Sequence, residues 1–135
     1  MFQSTTTVRV RYSETDQMGI VYHGNYAAFY EIGRTDALRE LGLSYKQFED
    51  RGIMMPVLDL AFNFHKSARY DDLLTIRTSL NSLPGVRIRF DYQIFNEEEH
   101  MITSGHATLV CVNMSTKRPC KCPEDLTNKL IPYFQ

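Results

Sequence analysis

Apolar and polar residues alternate near the start of the chain and again through its second half. Val8, Val10 and Tyr12 alternate with arginines, which is the period of a half-buried strand. The same strand-like pattern returns over residues 58–65, 74–80, 86–94 and 102–114. Pro84-Gly85 and residues 96–100 separate the later stretches as hairpin turns. The pattern therefore predicts one strand followed, after a gap, by four strands that are joined by short loops and pair antiparallel.

The gap between the first and second strands has the period of a helix. Asn25 is the predicted N-cap residue and Gly42 the predicted end of this helix. Ala27, Ala28 and Ile32 add a second apolar side, so we expect the helix to be buried rather than to lie on a surface. Apolar or small residues recur at helical spacing at Tyr26, Phe29, Tyr30, Gly33, Ala37, Leu38 and Leu41.

Two shorter helices complete the predicted elements. Residues 44–51 form the first, which ends at Gly52, and Pro123, Glu124 and Asp125 form the first turn of the second. The order of elements favours an α+β fold, in which one antiparallel sheet wraps around one long central helix and both apolar surfaces are buried together. We expect residues 1–135 to be a single domain, and we expect its sheet edges to be covered by pairing of protomers.

Composition and charge exclude several classes of protein. The 135 residues carry a formal net charge of −1, with 43% apolar and 23% charged residues, so general nucleic-acid binding and disorder are not expected. No run reaches the roughly 18 to 20 apolar residues of a membrane span, and residues 1–7 do not resemble a secretory signal. The three cysteines, Cys111, Cys120 and Cys122, are expected to be reduced thiols of a cytoplasmic protein and not a metal site.

The segment 11–26 contains the candidate chemistry. It is a polar loop that leads into the N-terminus of the buried helix, and it contains Asp16 and His23. A helix N-terminus presents free backbone N–H groups, which can stabilise an oxyanion. A carboxylate, an imidazole and such a group of donors are the parts of an acyl-transfer site. By themselves these residues are equally compatible with an Asx turn at Asp16 and a partly buried structural histidine at His23.

This segment resembles the hot-dog-fold acyl-CoA thioesterases, in particular the 4-hydroxybenzoyl-CoA thioesterase family and its Tol-Pal-associated relatives. The resemblance continues more weakly through residues 66–72 and spans nearly the whole chain. The matching residues are Arg11, Tyr12, Thr15, Asp16, Gly19, Val21, Tyr22, His23, Asn25, Tyr26, Phe29, Glu31 and Arg34.

The resemblance implies hydrolysis of acyl-CoA thioesters to a carboxylic acid and coenzyme A. It implies that Asp16 is the catalytic carboxylate, acting either as nucleophile through a mixed anhydride or as general base on water. Tyr22, His23 and Gly24 then lie at the helix start, where backbone N–H groups polarise the thioester carbonyl. No separate cofactor and no metal are expected, because coenzyme A is part of the substrate.

Other residues have candidate roles that are less specific. Asn25, Lys66 and Arg69 are the predicted substrate-binding residues, the last two for the phosphates of coenzyme A. Glu31, two turns into the helix, is a rival carboxylate, but an ion pair with Arg34, or with a basic group across an interface, is the preferred interpretation. Aromatic side chains could line an acyl pocket, although core packing is the default expectation for Tyr12, Phe29, Phe62, Phe64 and Phe90.

Two other functions remain open at this point. One is a non-catalytic subunit that binds acyl thioesters on the same fold, and the other is a hydratase or dehydratase. His23 precedes the helix, which disfavours the hydratase. The sequence leaves open the acyl group and the choice between dimer and tetramer, although the resemblance implies a homotetramer built from dimers.

Overall fold

The computed structural model describes residues 1–135 and consists of a five-stranded antiparallel sheet with one long helix packed against it. The sheet order is β1-β4-β5-β6-β3, and a second, small sheet has the order β2-β7-β8. The strands are β1 Phe2–Arg9, β2 Ile53–Met54, β3 Val57–Phe64, β4 Leu73–Leu80, β5 Arg87–Phe95, β6 Met101–Val110, β7 Val112–Asn113 and β8 Arg118–Pro119. The helices are α1 Tyr26–Glu40, α2 Tyr45–Asp50 and α3 Glu124–Leu130.

The predicted central helix is α1, and it approaches the sheet closely at one glycine. A Cβ atom at Gly33 would collide with the side-chain oxygen of Thr78 on β4, and it would lie 2.9 Å from a methyl carbon of Ile76. One turn earlier, the ring of Tyr30 stacks on the ring of Tyr92 of β5, with centroids 4.1 Å apart. The distance between α1 and the sheet is therefore fixed at this position, since only glycine permits so close an approach.

The end of α1 and the starts of α2 and α3 agree with the predictions. Gly42 has φ +81° and follows the last residues of α1, while the N–H of Leu43 donates to the carbonyl of Leu38 at 2.9 Å. This is the Schellman arrangement that glycine favours after a helix. Ser44 caps α2 by accepting from the N–H of Gln47, and α3 follows Pro123 as expected.

Three details of the predicted elements are wrong. The first strand ends at Arg9, so Tyr12 lies in a separate short turn and is exposed. The second apolar side of α1 is not buried, because Ala28 is exposed and Ile32 only half-buried; the sheet covers one face of the helix. Asn25 precedes α1, but its side chain does not cap it, since the amide donates instead to the Glu14 carbonyl at 2.8 Å.

The pairing of strands also differs from the simplest prediction. The interior strands β4 and β5 show the predicted alternation of buried residues, but β3 does not pair with β4, its successor in sequence. Instead β3 pairs with β6 alone and forms one edge of the sheet. The connection 65–72 crosses the end of the sheet, and β1 pairs with β4 in the place predicted for β3.

The register places one end of the sheet beside the start of α1. Arg9 at the end of β1 pairs with Leu73 at the start of β4. At the same end, the last residues of β5 and β3 pair with the first residues of β6. Loops 10–25, 65–72 and 96–100 therefore all emerge at this end.

None of the helices is long and apolar enough to cross a membrane.

Cys111 and Cys122 form a disulfide, which corrects the prediction of three reduced thiols; Cys120 is free. The strands β7 and β8 form a hairpin that returns the chain, so that the Cα atoms of Cys111 and Cys122 lie 5.4 Å apart. This separation is within the usual range for a disulfide. Eleven positions apart in sequence, the two cysteines gave no signal of this proximity.

We expect Gly33→Ala to lower the free energy of unfolding by about 1 to 2 kcal/mol, because the added methyl must displace Thr78 or the helix. Chemical denaturation, followed by circular dichroism, measures this change. Gly85→Ala is the matched control, since a Cβ there meets no atom within 4 Å. If Gly33→Ala lowers the free energy of unfolding no more than Gly85→Ala does, the close approach of helix and sheet at Gly33 is contradicted.

Reduction of the Cys111–Cys122 disulfide should destabilise the fold by about 3 kcal/mol, because an open chain gains conformational entropy when it unfolds. For a chain of this size the melting temperature should fall by about 10 °C. Calorimetry with and without dithiothreitol tests this expectation. On reduction, the melting temperature of Cys120→Ser should fall as much as that of the wild type. The melting temperature of Cys122→Ser should not change with the reductant.

Candidate active site

A cavity of about 250 Å³ opens where the loop before α1 meets the end of β3. One wall comes from the loop and the start of the helix, and the other comes from the segment 64–67. The walls combine a carboxylate, two imidazoles, an ammonium group and an apolar surface. The lining residues are Asp16, Met18, Ile20, Val21, His23, Tyr26, Phe64, His65, Lys66 and Ser67.

Glu14 holds the loop against the helix start, although sequence reasoning did not single it out. Its carbonyl accepts from the N–H of Tyr22 at 2.9 Å and from the side-chain amide of Asn25 at 2.8 Å. Its buried carboxylate accepts from the N–H of Arg11 at 2.7 Å and from the Arg11 guanidinium at 3.2 Å. One residue thus ties both ends of the loop together.

Asp16 sits at a tight turn on the cavity wall. Its N–H donates to the carbonyl of Ile20 at 2.9 Å, and its carbonyl accepts from the N–H of Gly19 at 2.9 Å. Its Oδ1 accepts from the N–H of Met18 at 2.9 Å, whereas Oδ2 takes part in no hydrogen bond or ion pair within the chain. The Asx turn and the functional role are therefore compatible, because one oxygen orients the carboxylate and the other faces no protein donor.

The start of the helix borders the same cavity through His23 and Tyr26. Residues 23–25 form a short turn that continues directly into α1, and the first hydrogen bond of this turn runs from the Asn25 N–H to the Tyr22 carbonyl at 2.9 Å. The N–H groups of His23 and Gly24 precede that bond, so they have no acceptor within the turn. The ring of Tyr22 packs on that of His23, with centroids 4.4 Å apart, and also contacts Gly24. Of these three predicted residues, His23 lines the cavity, whereas Tyr22 and Gly24 lie beside it in sequence and do not line it.

The opposite wall contains polar residues that the sequence did not identify as a group. His65 Nε2 shares a hydrogen bond with the Ser104 hydroxyl at 2.8 Å. The Lys66 ammonium donates to His100 Nδ1 at 2.9 Å, so the predicted substrate-binding lysine is held at the cavity by a histidine from the 96–100 turn. His65 and Ser104 carry no local motif, and only the pairing of β3 with β6 places them together.

The predicted substrate-binding residues Arg69 and Asn25 lie outside this cavity. The Arg69 guanidinium makes no ion pair or hydrogen bond within the chain, and it lines an adjacent polar cleft of about 220 Å³ that shares Lys66 with the cavity. The side-chain amide of Asn25 donates its hydrogen bond to the Glu14 carbonyl, as described above. Of the three residues, Lys66 is therefore the one that the structure places beside Asp16.

Tyr26 gives the cavity an uncharged aromatic wall. Burial raises the pKa of its phenol to about 12, which outweighs the opposing effect of a hydrogen bond with the Ala68 backbone. Its ring also packs beside Phe64, with centroids 5.8 Å apart. Of the aromatic candidates, Phe64 lines the cavity, whereas Phe29 and Phe90 are buried in the core.

Comparison with known proteins decides the family. Residues 10–130 match the model of the thioesterase-like superfamily. The chain belongs to that superfamily. This membership confirms the resemblance and the hot-dog fold predicted from the sequence.

Named relatives share most of this thioesterase-like chain. The acyl-CoA thioester hydrolase YbgC of Escherichia coli is 33% identical over 119 residues, which cover 88% of this chain and 89% of the relative. The acyl-CoA thioesterase YbgC of Haemophilus influenzae is 30% identical over 120 residues, with 88% of each chain covered. Among solved structures, DHNA-CoA thioesterase from Staphylococcus aureus superposes with a TM-score of 0.86 and 37% identity over 99% of this chain and 85% of that one.

In this thioesterase-like chain the rival carboxylate, Glu31, lies away from the cavity. Its side chain is exposed and lines a separate groove on the outer face of α1. The predicted ion pair with Arg34 is wrong, because Arg34 turns inward toward Tyr45 and Tyr92 and forms no ion pair. Glu31 is therefore geometrically separate from the helix-start donors. Across the chain, no three metal-ligating side chains come together in a cluster.

Proposed function

We propose that this chain hydrolyses acyl-CoA thioesters in the cavity between Asp16 and the start of α1. The activity rests on the superfamily match and on relatives named acyl-CoA thioester hydrolases that cover most of the chain. The observation that carries the site is the Asp16 carboxylate, which has one oxygen without a protein partner and shares a cavity with His23 at the start of the helix. The products are a carboxylic acid and coenzyme A.

The reaction needs charge stabilisation more than it needs an acid. The leaving thiolate of coenzyme A has a pKa of roughly 8.5 as for an ordinary thiol, so it departs without full protonation. The harder step puts negative charge on the thioester oxygen. The N–H groups of His23 and Gly24, at the positive end of a 15-residue helix, would donate to that oxygen.

Asp16 would supply or activate the nucleophile. As a general base, it takes a proton from a water molecule while the oxygen of that water adds to the carbonyl carbon; the C–S bond then breaks and the thiolate leaves. As a nucleophile, it forms a mixed anhydride that water hydrolyses in a second step. Either route uses a carboxylate, water and backbone donors, and requires no cofactor.

The remaining candidates would bind and orient the substrate. The exposed imidazole of His23, held by Tyr22, would orient the thioester or the water. Lys66 and Arg69 would face the phosphates of coenzyme A, since both line the cleft beside the cavity. The acyl group would lie against Tyr26 and Phe64, and Asn25 would act indirectly by holding the loop.

A homo-oligomer is also proposed, because β3 is an unprotected edge. Only one side of β3 is paired, and the strand exposes Leu58, Leu60 and Phe64 at 50%, 40% and 57%. Pairing of two β3 edges would satisfy their free backbone groups, join the two sheets into one and bring a partner against these side chains. The end of β3 forms the cavity wall, so the partner would lie beside the site. The homotetramer implied by the resemblance would add a second dimer.

The proposed location is the cytoplasm, where coenzyme A thioesters are produced and used. The Cys111–Cys122 disulfide is the observation that opposes this location, since disulfides seldom persist in a reducing compartment. The dithiothreitol measurement above therefore also bears on location, because a fold that stays intact when reduced is compatible with the cytoplasm.

The first test is Asp16→Asn, assayed by thiol release from acyl-CoA esters of several chain lengths and one aromatic ester. The wild type should turn over at least one of them. The variant should lose about 10²- to 10⁴-fold in kcat if Asp16 is a general base, because an amide cannot take the proton. Label in the Asp16 carboxylate after a single turnover in ¹⁸O water would show a mixed anhydride in which water attacks the Asp16 carbonyl, because a general base exchanges no oxygen.

Glu31→Gln is the matched control for this substitution. It also converts an exposed carboxylate to an amide, but outside the cavity, so its kcat should stay within about twofold of the wild type. Full activity in Asp16→Asn and loss in Glu31→Gln would transfer the catalytic role to Glu31. Tight acyl-CoA binding without thiol release would instead favour a binding subunit.

The oligomer is tested with Leu60→Lys, measured by light scattering after size-exclusion chromatography. A lysine on the β3 edge should leave monomers, because it cannot be covered by a second apolar strand. Thr5→Lys, at an exposed position of the opposite edge strand β1, is the control and should leave the wild-type mass unchanged. A wild-type chain that elutes as a monomer rules out the oligomer.

A further inference from the structure

Two tyrosines form an exposed aromatic pair outside the candidate cavity. Tyr12 and Tyr70 are 77% and 56% exposed, and their ring centroids lie 5.6 Å apart with an interplanar angle of 77°. In such an edge-to-face pair one ring keeps both of its faces free of the other. Single exposed aromatic residues are common, but two that hold each other in place offer a ready stacking surface.

The pair is attached to the two segments that build the site. The Tyr12 carbonyl accepts from the N–H of Thr15 at 3.2 Å and from its hydroxyl at 2.7 Å, immediately before Asp16. Tyr70 follows Arg69, whose backbone forms a β-bridge with Ile20 on the cavity wall. A ligand that lies along these segments can therefore reach both the cavity and the tyrosines.

Charges of both signs lie next to the pair, because the adjacent cleft is lined by Lys66 and Arg69 and also by Asp72, Glu97 and Glu98. The Arg69 guanidinium forms no ion pair, and its Nη1 would lie 3.9 Å from a Cβ placed on Gly19, so it borders the turn that holds Asp16. The neighbouring acid, Asp71, is already engaged, because its carboxylate lies 3.8 Å from Arg9 and its carbonyl accepts from the same guanidinium at 2.7 Å. Within this cleft, Arg69 is the cation whose side chain has no partner in the chain, so it is available to a phosphate.

We propose that Tyr12 and Tyr70 bind the adenine ring of the coenzyme A portion of the substrate, with Arg69 facing its phosphates. This inference rests on the proposed function, since it takes the substrate to be a coenzyme A thioester. The nucleotide end of coenzyme A combines a flat purine with phosphates, and an aromatic pair that includes Tyr70, the residue after the unpaired Arg69, offers a group for each. Stacking of a base on an aromatic side chain needs no specific hydrogen bond.

The first experiment measures binding of adenosine 3′,5′-bisphosphate, the nucleotide end of coenzyme A without its thiol arm, by isothermal titration calorimetry. The wild type should bind it, and Tyr70→Leu should bind it about 10-fold more weakly because the stacking face is lost. Tyr70→Phe should keep the wild-type affinity, since stacking does not require the hydroxyl. Tyr133→Leu removes a tyrosine that is 48% exposed and packs on Phe2 instead, so it should have no effect.

The second experiment compares an acyl-CoA with the same acyl group on pantetheine, which lacks the nucleotide. Tyr70→Leu should raise KM for the acyl-CoA about 10-fold and leave kcat unchanged. KM for the acyl-pantetheine should not change, because that substrate has no adenine. A general disturbance of the fold would alter both substrates alike.

The outcomes separate this inference from the proposed function. Equal affinity of the wild type and Tyr70→Leu for the bisphosphate, or no binding by either, overturns the adenine site, whether or not thioesters are hydrolysed. A KM that rises equally for both substrates also overturns it. Absence of thiol release from every ester overturns the proposed function, and the calorimetric comparison still reports on the tyrosine pair.

Discussion

The close contact between α1 and the sheet at Gly33 determines where everything else in the molecule lies. A side chain at this position would collide with Thr78, so the helix can approach the strands only because glycine is there. The stacked rings of Tyr30 and Tyr92 fill the layer beside it. With the height and direction of the helix fixed in this way, its N-terminus meets the end of the sheet from which three loops emerge. The candidate site lies where the N-terminus of the helix and these loops come together.

Hydrogen bonds within the loop before α1 also fix the position of the site. Glu14 accepts from Tyr22 and Asn25 through its carbonyl and from Arg11 through its carboxylate. Because these donors come from both ends of the loop, Asp16 is carried on a segment with little freedom to move. Catalysis by backbone donors depends on such preorganisation, since donors that must first reorganise stabilise an oxyanion less. The half-buried amide of Asn25 contributes to this order and not to capping.

Local signals in the sequence predicted the parts of the fold that depend on local physics. The alternation in β4 and β5 is visible because one face of each strand is buried, and Gly42 is recognisable because only a left-handed residue ends the helix there. Contacts between residues that are distant in sequence produce no such local pattern. The edge position of β3, the disulfide between Cys111 and Cys122 and the second cavity wall all arise from chain crossings, so no periodicity could reveal them. The motif located Asp16, but only the fold could place His65 and Lys66 opposite it.

The same loop borders both the proposed reaction centre and the proposed nucleotide contacts. Asp16 and Ile20 line the cavity, while Ile20 also forms a β-bridge with Arg69, the residue before Tyr70. Binding energy from a remote part of a substrate can be used to orient the reacting part. A coenzyme A substrate that contacts Arg69 and the tyrosines would therefore press against the backbone that positions the Asp16 carboxylate. In this arrangement the nucleotide end would anchor the substrate, and the loop would orient its thioester against the Asp16 carboxylate.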